Sequence, residues 1–190
     1  MEVQIEQISP DQMDEYARLP IAFEVRSIFE VRLINNGLGG MELREKPVTP
    51  YTKDYDSYGE TPLDWEKNFD IAKWGFFLAK IGGEPVGATA VAIDNPEVFM
   101  LEARKDLSVL WDIRVKTQAR GAGIALFRRA AAWSREQGCS QMKIETQNIN
   151  VPACRFYQRL GARLGEIRLN GYAANPRVAD EVMLNWYLDL

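Results

Sequence analysis

The run Arg120-Gly121-Ala122-Gly123-Ile124-Ala125 gathers small residues where a β-branched stretch gives way to a helical pattern. The first turn of a helix leaves backbone N–H groups without intrahelical partners, and the macrodipole makes that end positive. Small side chains let an anion approach those amides closely. Arg120 adds a planar fork that matches phosphate oxygens. Each hydrogen bond to a charged partner is worth about 1.5–3 kcal/mol, so a few of them hold a diphosphate firmly. Three readings compete for this run. A dinucleotide fingerprint needs Gly-x-Gly-x-x-Gly directly after a strand, but Leu126 stands at the third position and residues 116–120 intervene after Val115. A nucleotide P-loop needs Gly-Lys-Ser/Thr, which the chain lacks. The pattern Arg-x-x-Gly-x-Ala, formed by Arg120, Gly123 and Ala125, suits a pyrophosphate cradle; a bare strand-to-helix corner suits it as well.

The chain has no histidine. That removes Ser-His-Asp and Cys-His nucleophiles, His-ligated zinc and His acid–base work together. Proton chemistry then falls to carboxylates, Tyr, Lys, backbone or water. The two cysteines, Cys139 and Cys154, have no metal-ligand spacing and read as buried thiols, so no metal is expected. A net charge of −4 argues against nucleic acid and anionic membranes as partners. The start, MEVQIEQISPDQ, shows no cationic region followed by an apolar one, and no apolar run reaches a membrane span. A cytoplasmic location is expected. The length, 190 residues at 46% hydrophobic, suits a single domain with a full core.

The elements that must position the glycine-rich run follow from periodicity. Residues 2–8 alternate as a strand, and RSIFEVRL leads through NNGLGG into a hairpin partner at Met41 and Leu43. Residues 47–64 are rich in Pro, Tyr and Asp and read as a long loop. Thr61 and Pro62 open a short helix through Phe69. WGFFLAKIGGEPVGATAVAID is a hairpin, DNPEVFMLEARKD an irregular connection, and LSVLWDIRV a strand. A helix over 122–137 stops at Gly138. SQMKIETQ is a strand, a second helix runs from the N-cap Asn150 to Gly161, and ARLGEIRL and DEVMLNWYLDL close the chain as strands. The whole reads as one mixed α/β domain.

The run 120–125 resembles the coenzyme A pyrophosphate loop of the GNAT superfamily of N-acetyltransferases. NVPACRFYQRLGA, with Asn150, Ala153, Phe156, Tyr157 and Gly161, resembles that superfamily's second signature. WDIRV resembles its central strand, which splays from a neighbour at a bulge. The resemblance implies an α/β (α+β) fold: a mixed, mostly antiparallel sheet split by a coenzyme cleft and flanked by helices. It also implies acetyl-CoA as co-substrate, with residues 74–190 binding it and residues 1–73 forming a variable substrate side. Residue by residue, it implies that Arg120, Gly121, Ala122, Gly123, Ile124 and Ala125 hold the pyrophosphate. Ile113 and Val115 would offer backbone groups to the pantetheine, and Asn150 would hold that arm or a water. Tyr157 would protonate the departing thiolate, and Asp112 first, then Glu145, would take the proton of the amine. Arg128, Arg129 and Arg155 are candidates for the 3′-phosphate.

ETQNINVPACRFYQRLGA and MLNWYLDL have a closer resemblance, to the streptothricin acetyltransferases; AFEV and PYTKDYD share it more faintly. It implies direct acetyl transfer to a primary amine of a small cationic substrate. Asp54, Asp56 and Glu60, with Asp64, lie beside Tyr51, Tyr55, Tyr58 and Trp65. Such an acidic aromatic stretch suits a polycationic amine through charge pairing and cation–π contact. A polyamine or a protein amine as acceptor, and a non-catalytic acyl-CoA sensor, are the other outcomes. The closing strands could also pair across a homodimer.

Overall fold

The computed structural model describes residues 2–59, 61–116 and 118–190. In chain order the strands are β1 (Gln4–Ile8), β2 (Phe23–Leu33), β3 (Met41–Lys53), β4 (Gly75–Ile81), β5 (Glu84–Ala92), β6 (Leu107–Val115), β7 (Gln141–Gln147), β8 (Arg163–Arg168) and β9 (Met183–Asp189). The helices are α1 (Met13–Ala17), α2 (Trp65–Asn68), α3 (Ala122–Glu136) and α4 (Val151–Arg159). Two compact units form. One comprises Met1–Ala22, Asp54–Ile144 and Asp189–Leu190; the other comprises Phe23–Lys53 and Glu145–Leu188.

In the first unit the strand order is β1-β4-β5-β6-β7. All neighbours are antiparallel except β6 and β7, which run parallel from Leu107↔Gln141 to Leu110↔Ile144. The β4–β5 turn is Gly82-Gly83, both at positive φ (61° and 86°). A tight hairpin needs that geometry to match the strand twist, and glycine adopts it without a Cβ clash. β4 is buried on both faces, which its near-continuous apolar run anticipates. Phe76 stacks on Trp65 and Trp74 and meets Tyr16 edge-on. Phe77, one residue on, meets Trp133 of α3 at 6.1 Å on the opposite face.

α3 sits close to this sheet because two strand glycines make room. A Cβ at Gly75 would lie 2.9 Å from the Trp133 ring, and one at Gly87 would lie 3.0 Å from Leu126 Cδ1. Gly138, at φ 86°, ends the helix, and its N–H donates to the Arg135 carbonyl. α1 has no counterpart in the sequence reading. Its signal was the capping box of Ser9 and Gln12 around Pro10.

In the second unit β2 and β3 form an antiparallel ribbon from Phe23↔Lys53 to Leu33↔Met41. The loop expected from residue 47 therefore begins after Lys53. Pro47 and Pro50 are tolerated because the ribbon has only two strands and its register breaks between Val25 and Ser27. The end of β7 continues into the order β7-β9-β8. Asn148 follows, accepting from the Val182 N–H (2.8 Å) and donating to the Phe29 carbonyl (2.9 Å). α4 has Asn150 as N-cap and ends at Gly161, φ 98°. The expected short helix after Thr61 is present as a 3-10 turn running into α2.

Candidate active site

Gly121 caps α3 from the left-handed region (φ 86°), with open space where a Cβ would point. The Ala122 N–H is used by the Ala119 carbonyl and the Ala125 N–H by the Gly121 carbonyl. The amides of Gly121, Gly123 and Ile124 meet no backbone acceptor among the described residues. Ala122 is fully buried and anchors the turn, while Arg120, Gly121 and Ile124 are exposed and Gly123 and Ala125 half-buried. Positive helix end, unpaired amides and no obstructing side chain: these residues fit a pyrophosphate.

β6 leads into this turn. Its pairing with β5 skips Trp111, since Ala90 opposes Asp112 and Val91 opposes Leu110. The parallel ladder with β7 stops at the same point, so Trp111–Val115 have no strand partner on that edge within the unit. A bulge bends a strand and ends pairing. Half-buried Ile113 and Val115 thus lie on a stretch with one unpaired edge, as a strand-mimicking ligand requires.

Asp112 and Arg114 occupy the other face of β6, level with Phe76 and Leu78. Arg114 donates Nη2 to Asp112 Oδ2 (2.7 Å) and Nε to Oδ1 (3.0 Å). The Tyr16 hydroxyl donates to the same Oδ1 at 2.7 Å. Arg114 also reaches Asp56 (2.9 and 3.4 Å) and the Leu19 carbonyl (2.9 Å). Burial, and the adjacent Asp112 charge, push the Tyr16 phenol well above its ordinary pKa. Both Asp112 oxygens are therefore occupied, and one partner is a cation.

Asp56 is drawn inward to Arg114 rather than standing free in a surface loop. Asp54 is half-buried and accepts the Asp56 N–H at 3.1 Å. Glu60 lies outside the described residues. Asp64 closes a capping box on Thr61 and pairs with Lys67, which lowers its pKa to about 2. Of the three arginines set against a 3′-phosphate, Arg129 pairs with Glu136 and covers the Phe77 ring, and Arg155 pairs with Glu45. Arg128 is exposed and makes no ion pair among the described residues.

The second unit carries Glu145, Asn150 and Tyr157. Asn150 accepts the Ala153 N–H at 3.2 Å, so its side-chain oxygen serves the cap and its amide nitrogen can still donate. Tyr157 is buried on α4, its ring edge-on to Phe156. Glu145, half-buried, accepts from the Tyr172 hydroxyl (2.6 Å) and from Gln147 Nε2 (3.4 Å), which also donates to the Tyr172 oxygen (2.9 Å). Burial and the Glu145 charge raise the Tyr172 phenol above its usual range. Sequence reasoning missed Tyr16, Arg114 and Tyr172. Only Arg114 left a trace, as a second charge on the same face as Asp112 in an otherwise apolar strand.

A family profile described as Acetyltransferase (GNAT) family matches residues 41–162. The chain belongs to the GNAT acetyltransferase family. It is an N-acetyltransferase of that family, with acetyl-CoA as its acyl donor, and its mixed, mostly antiparallel architecture flanked by helices is the GNAT fold. Streptothricin acetyltransferase of Escherichia coli is 32% identical over 95% of this chain and 92% of its own length. Streptothricin acetyltransferase of Streptomyces lavendulae is 29% identical over 80% of this chain and 77% of its own. A Bacillus anthracis GNAT-fold protein crystallised with acetyl coenzyme A superposes with a TM-score of 0.77 at 22% identity, over 100% of this chain and 99% of that one. Among the described residues no helix is long and apolar enough to cross a membrane. Among the described residues, no cluster of His, Cys, Asp or Glu could hold a metal.

Proposed function

We propose that the chain moves an acetyl group from acetyl-CoA directly to a primary amine of a small cationic molecule of the streptothricin type, in the cytoplasm. The observation that carries the substrate is the likeness to Escherichia coli streptothricin acetyltransferase across 95% of the chain. The acidic turn at Asp54 and Asp56 supports it.

Acetyl-CoA supplies an acetyl group activated as a thioester. Gly121, Gly123 and Ile124 offer amides to its pyrophosphate, with Arg120 beside them and Arg128 free for the 3′-phosphate. Ile113 and Val115 offer backbone groups and Asn150 its amide nitrogen. The acceptor amine must be neutral to attack, and deprotonating an ordinary alkylamine at pH 7 costs about 4–5 kcal/mol. Of the two carboxylates the proton-acceptor role is assigned to Glu145, which accepts from Tyr172 and Gln147, because both oxygens of Asp112 are bonded to Arg114 and one also to Tyr16. The Tyr157 hydroxyl holds the proton that the leaving thiolate needs, since a phenol and an alkylthiol have comparable acidities. A homodimer through the closing strands would use β8, because β9 lies between β7 and β8.

The test is thiol release from acetyl-CoA with streptothricin, an aminoglycoside, spermidine and lysine. Fast release with streptothricin supports the reading. Release no faster than acetyl-CoA hydrolysis with streptothricin, but fast with spermidine, moves the substrate to polyamines.

A further inference from the structure

Arg114 ties three segments of the first unit to the strand that ends at the pyrophosphate cradle. It bonds Asp112 on its own strand, the Leu19 carbonyl just past α1, and Asp56 in the turn after β3. Its guanidinium carbon also lies 5.6 Å from the Tyr16 ring centroid. The Arg114 side chain is 2% exposed, that of Asp112 6%, but that of Asp56 27%. Two carboxylates thus share one cation, and neither is bonded by another Lys or Arg among the described residues. The cluster keeps one negative charge, and its solvent-facing end is Asp56.

Asp112 alone neutralises Arg114, so the second carboxylate is not required by charge. It does bring a turn to the strand. The bonds Asp56 N–H to Asp54, Ser57 hydroxyl to the Asp54 carbonyl, and Tyr58 N–H to the Tyr55 carbonyl all close within the turn. The bond to Arg114 reaches outside it. The turn also presents Tyr55 and Tyr58, edge-on at 6.0 Å.

We propose that Arg114 is a positioning residue that pins the 54–58 turn to β6, leaving Asp56 to hold a second, permanent cation on the acceptor. This rests on the acetyltransferase reading above. The reacting amine is neutral when it attacks, so it cannot be the partner of a fixed carboxylate. A second ammonium or guanidinium remote from the reacting nitrogen can. The acceptor class is therefore a dicationic amine, and a monoamine of equal length is a poor substrate.

The experiment compares wild type, Asp56→Asn, Arg114→Lys and Arg114→Met. It measures coenzyme A affinity by calorimetry, amide exchange of residues 55–58, and kinetics with streptothricin and with a diamine and monoamine of matched length. Asp56→Asn raises the KM for dicationic acceptors about tenfold, the loss of one charge-assisted contact. It leaves coenzyme A affinity nearly unchanged, abolishes the diamine preference and, because it also removes the carboxylate that Arg114 holds, speeds exchange at 55–58. Arg114→Met speeds exchange at 55–58, and Arg114→Lys recovers part of the protection. Retention of the diamine preference by Asp56→Asn, or unchanged exchange in both Arg114 variants, overturns the proposal. If Arg114→Met does not fold, Asp56→Asn and Arg114→Lys still decide. If wild type acetylates no amine, the substrate reading fails and the dicationic acceptor with it, while the exchange measurement separately decides whether Arg114 pins the turn.

Discussion

Asp112 and Arg114, two residues apart on one face of β6, are bonded through both carboxylate oxygens, at 2.7 and 3.0 Å. Alternation along a strand places i and i+2 side by side, so the pair forms within its own strand. Tyr16 then adds its hydroxyl from α1. Removing Asp112 takes two bonds from the buried Arg114 and leaves only the more exposed Asp56 to balance it, at a cost below the ~3–5 kcal/mol of a fully unpaired buried charge. Asp112→Ala is therefore expected to lower the urea midpoint sharply, with Asp112→Asn between it and wild type. Activity per folded molecule falls far less. A variant of wild-type stability that had lost turnover would return the proton-acceptor role to Asp112.

The cradle gives a prediction in which stability and binding part company. Ile124 is the third residue of α3 and 41% exposed. A carboxylate in the first turn interacts favourably with the macrodipole, by about 0.3–1 kcal/mol. The same carboxylate repels a bound diphosphate. Ile124→Asp is expected to keep or raise the thermal midpoint while weakening coenzyme A at least about tenfold. Calorimetry and a melting curve on one preparation check both halves. Unchanged affinity would remove the pyrophosphate from this turn.

What the sequence disclosed tracks how local each signal is. Gly82-Gly83, Gly138 and Asn150 act within a few residues, and the structure places turn, helix end and cap where those residues stand. The 120–125 turn was legible for the same reason. β3 was misread beyond residue 47 because prolines argue against a strand, and only the partner β2 shows that the ribbon accommodates them. The pairing of Asp56 with Arg114 spans 58 positions, and that of Tyr16 with Asp112 spans 96. No periodicity encodes contacts so distant, so the acidic stretch was legible as a charged loop but the Arg114 partner of Asp56 was not.

Tyr157 gives a kinetic prediction. The phenol is the group proposed to supply a proton to the leaving thiolate. General acid catalysis contributes about 10²–10⁴-fold. Tyr157→Phe removes one oxygen from a buried ring and keeps its packing. The expected result is a kcat lower by about a hundredfold, with the KM for acetyl-CoA nearly constant. Steady-state kinetics at saturating amine measure this. A kcat within a factor of about three would leave Tyr157 as a packing residue.

The last prediction concerns alkaline pH. Burial raises the Cys154 thiol from 9.0 to about 11, and Thr146, 3.3 Å away, offsets only part of that shift. Burial also holds the Tyr16 phenol well above its ordinary 10.0. Both folded-state pKa values lie above the unfolded ones, so both groups favour the folded state while protonated. That contribution is complete below about pH 9. Above it the unfolded chain releases the cysteine protons first, that of Cys154 and that of Cys139, whose thiol burial also raises, and stability falls until about pH 11. For Cys154 the total is about 2–3 kcal/mol, from 1.36 kcal/mol per unit. Above about pH 10, Tyr16 and Tyr172, both phenols raised by burial, add their own losses and the slope steepens. Urea midpoints taken from pH 7.5 to pH 11 should therefore be level at first and then decline in two stages. Cys154→Ala is expected to lower stability at neutral pH through the lost packing, yet flatten the stage between pH 9 and 11. Tyr16→Phe is expected to spare that first stage and make the second shallower, with the Tyr172 contribution remaining. A Cys154→Ala profile parallel to wild type across the range would mean that the thiol does not carry the first stage.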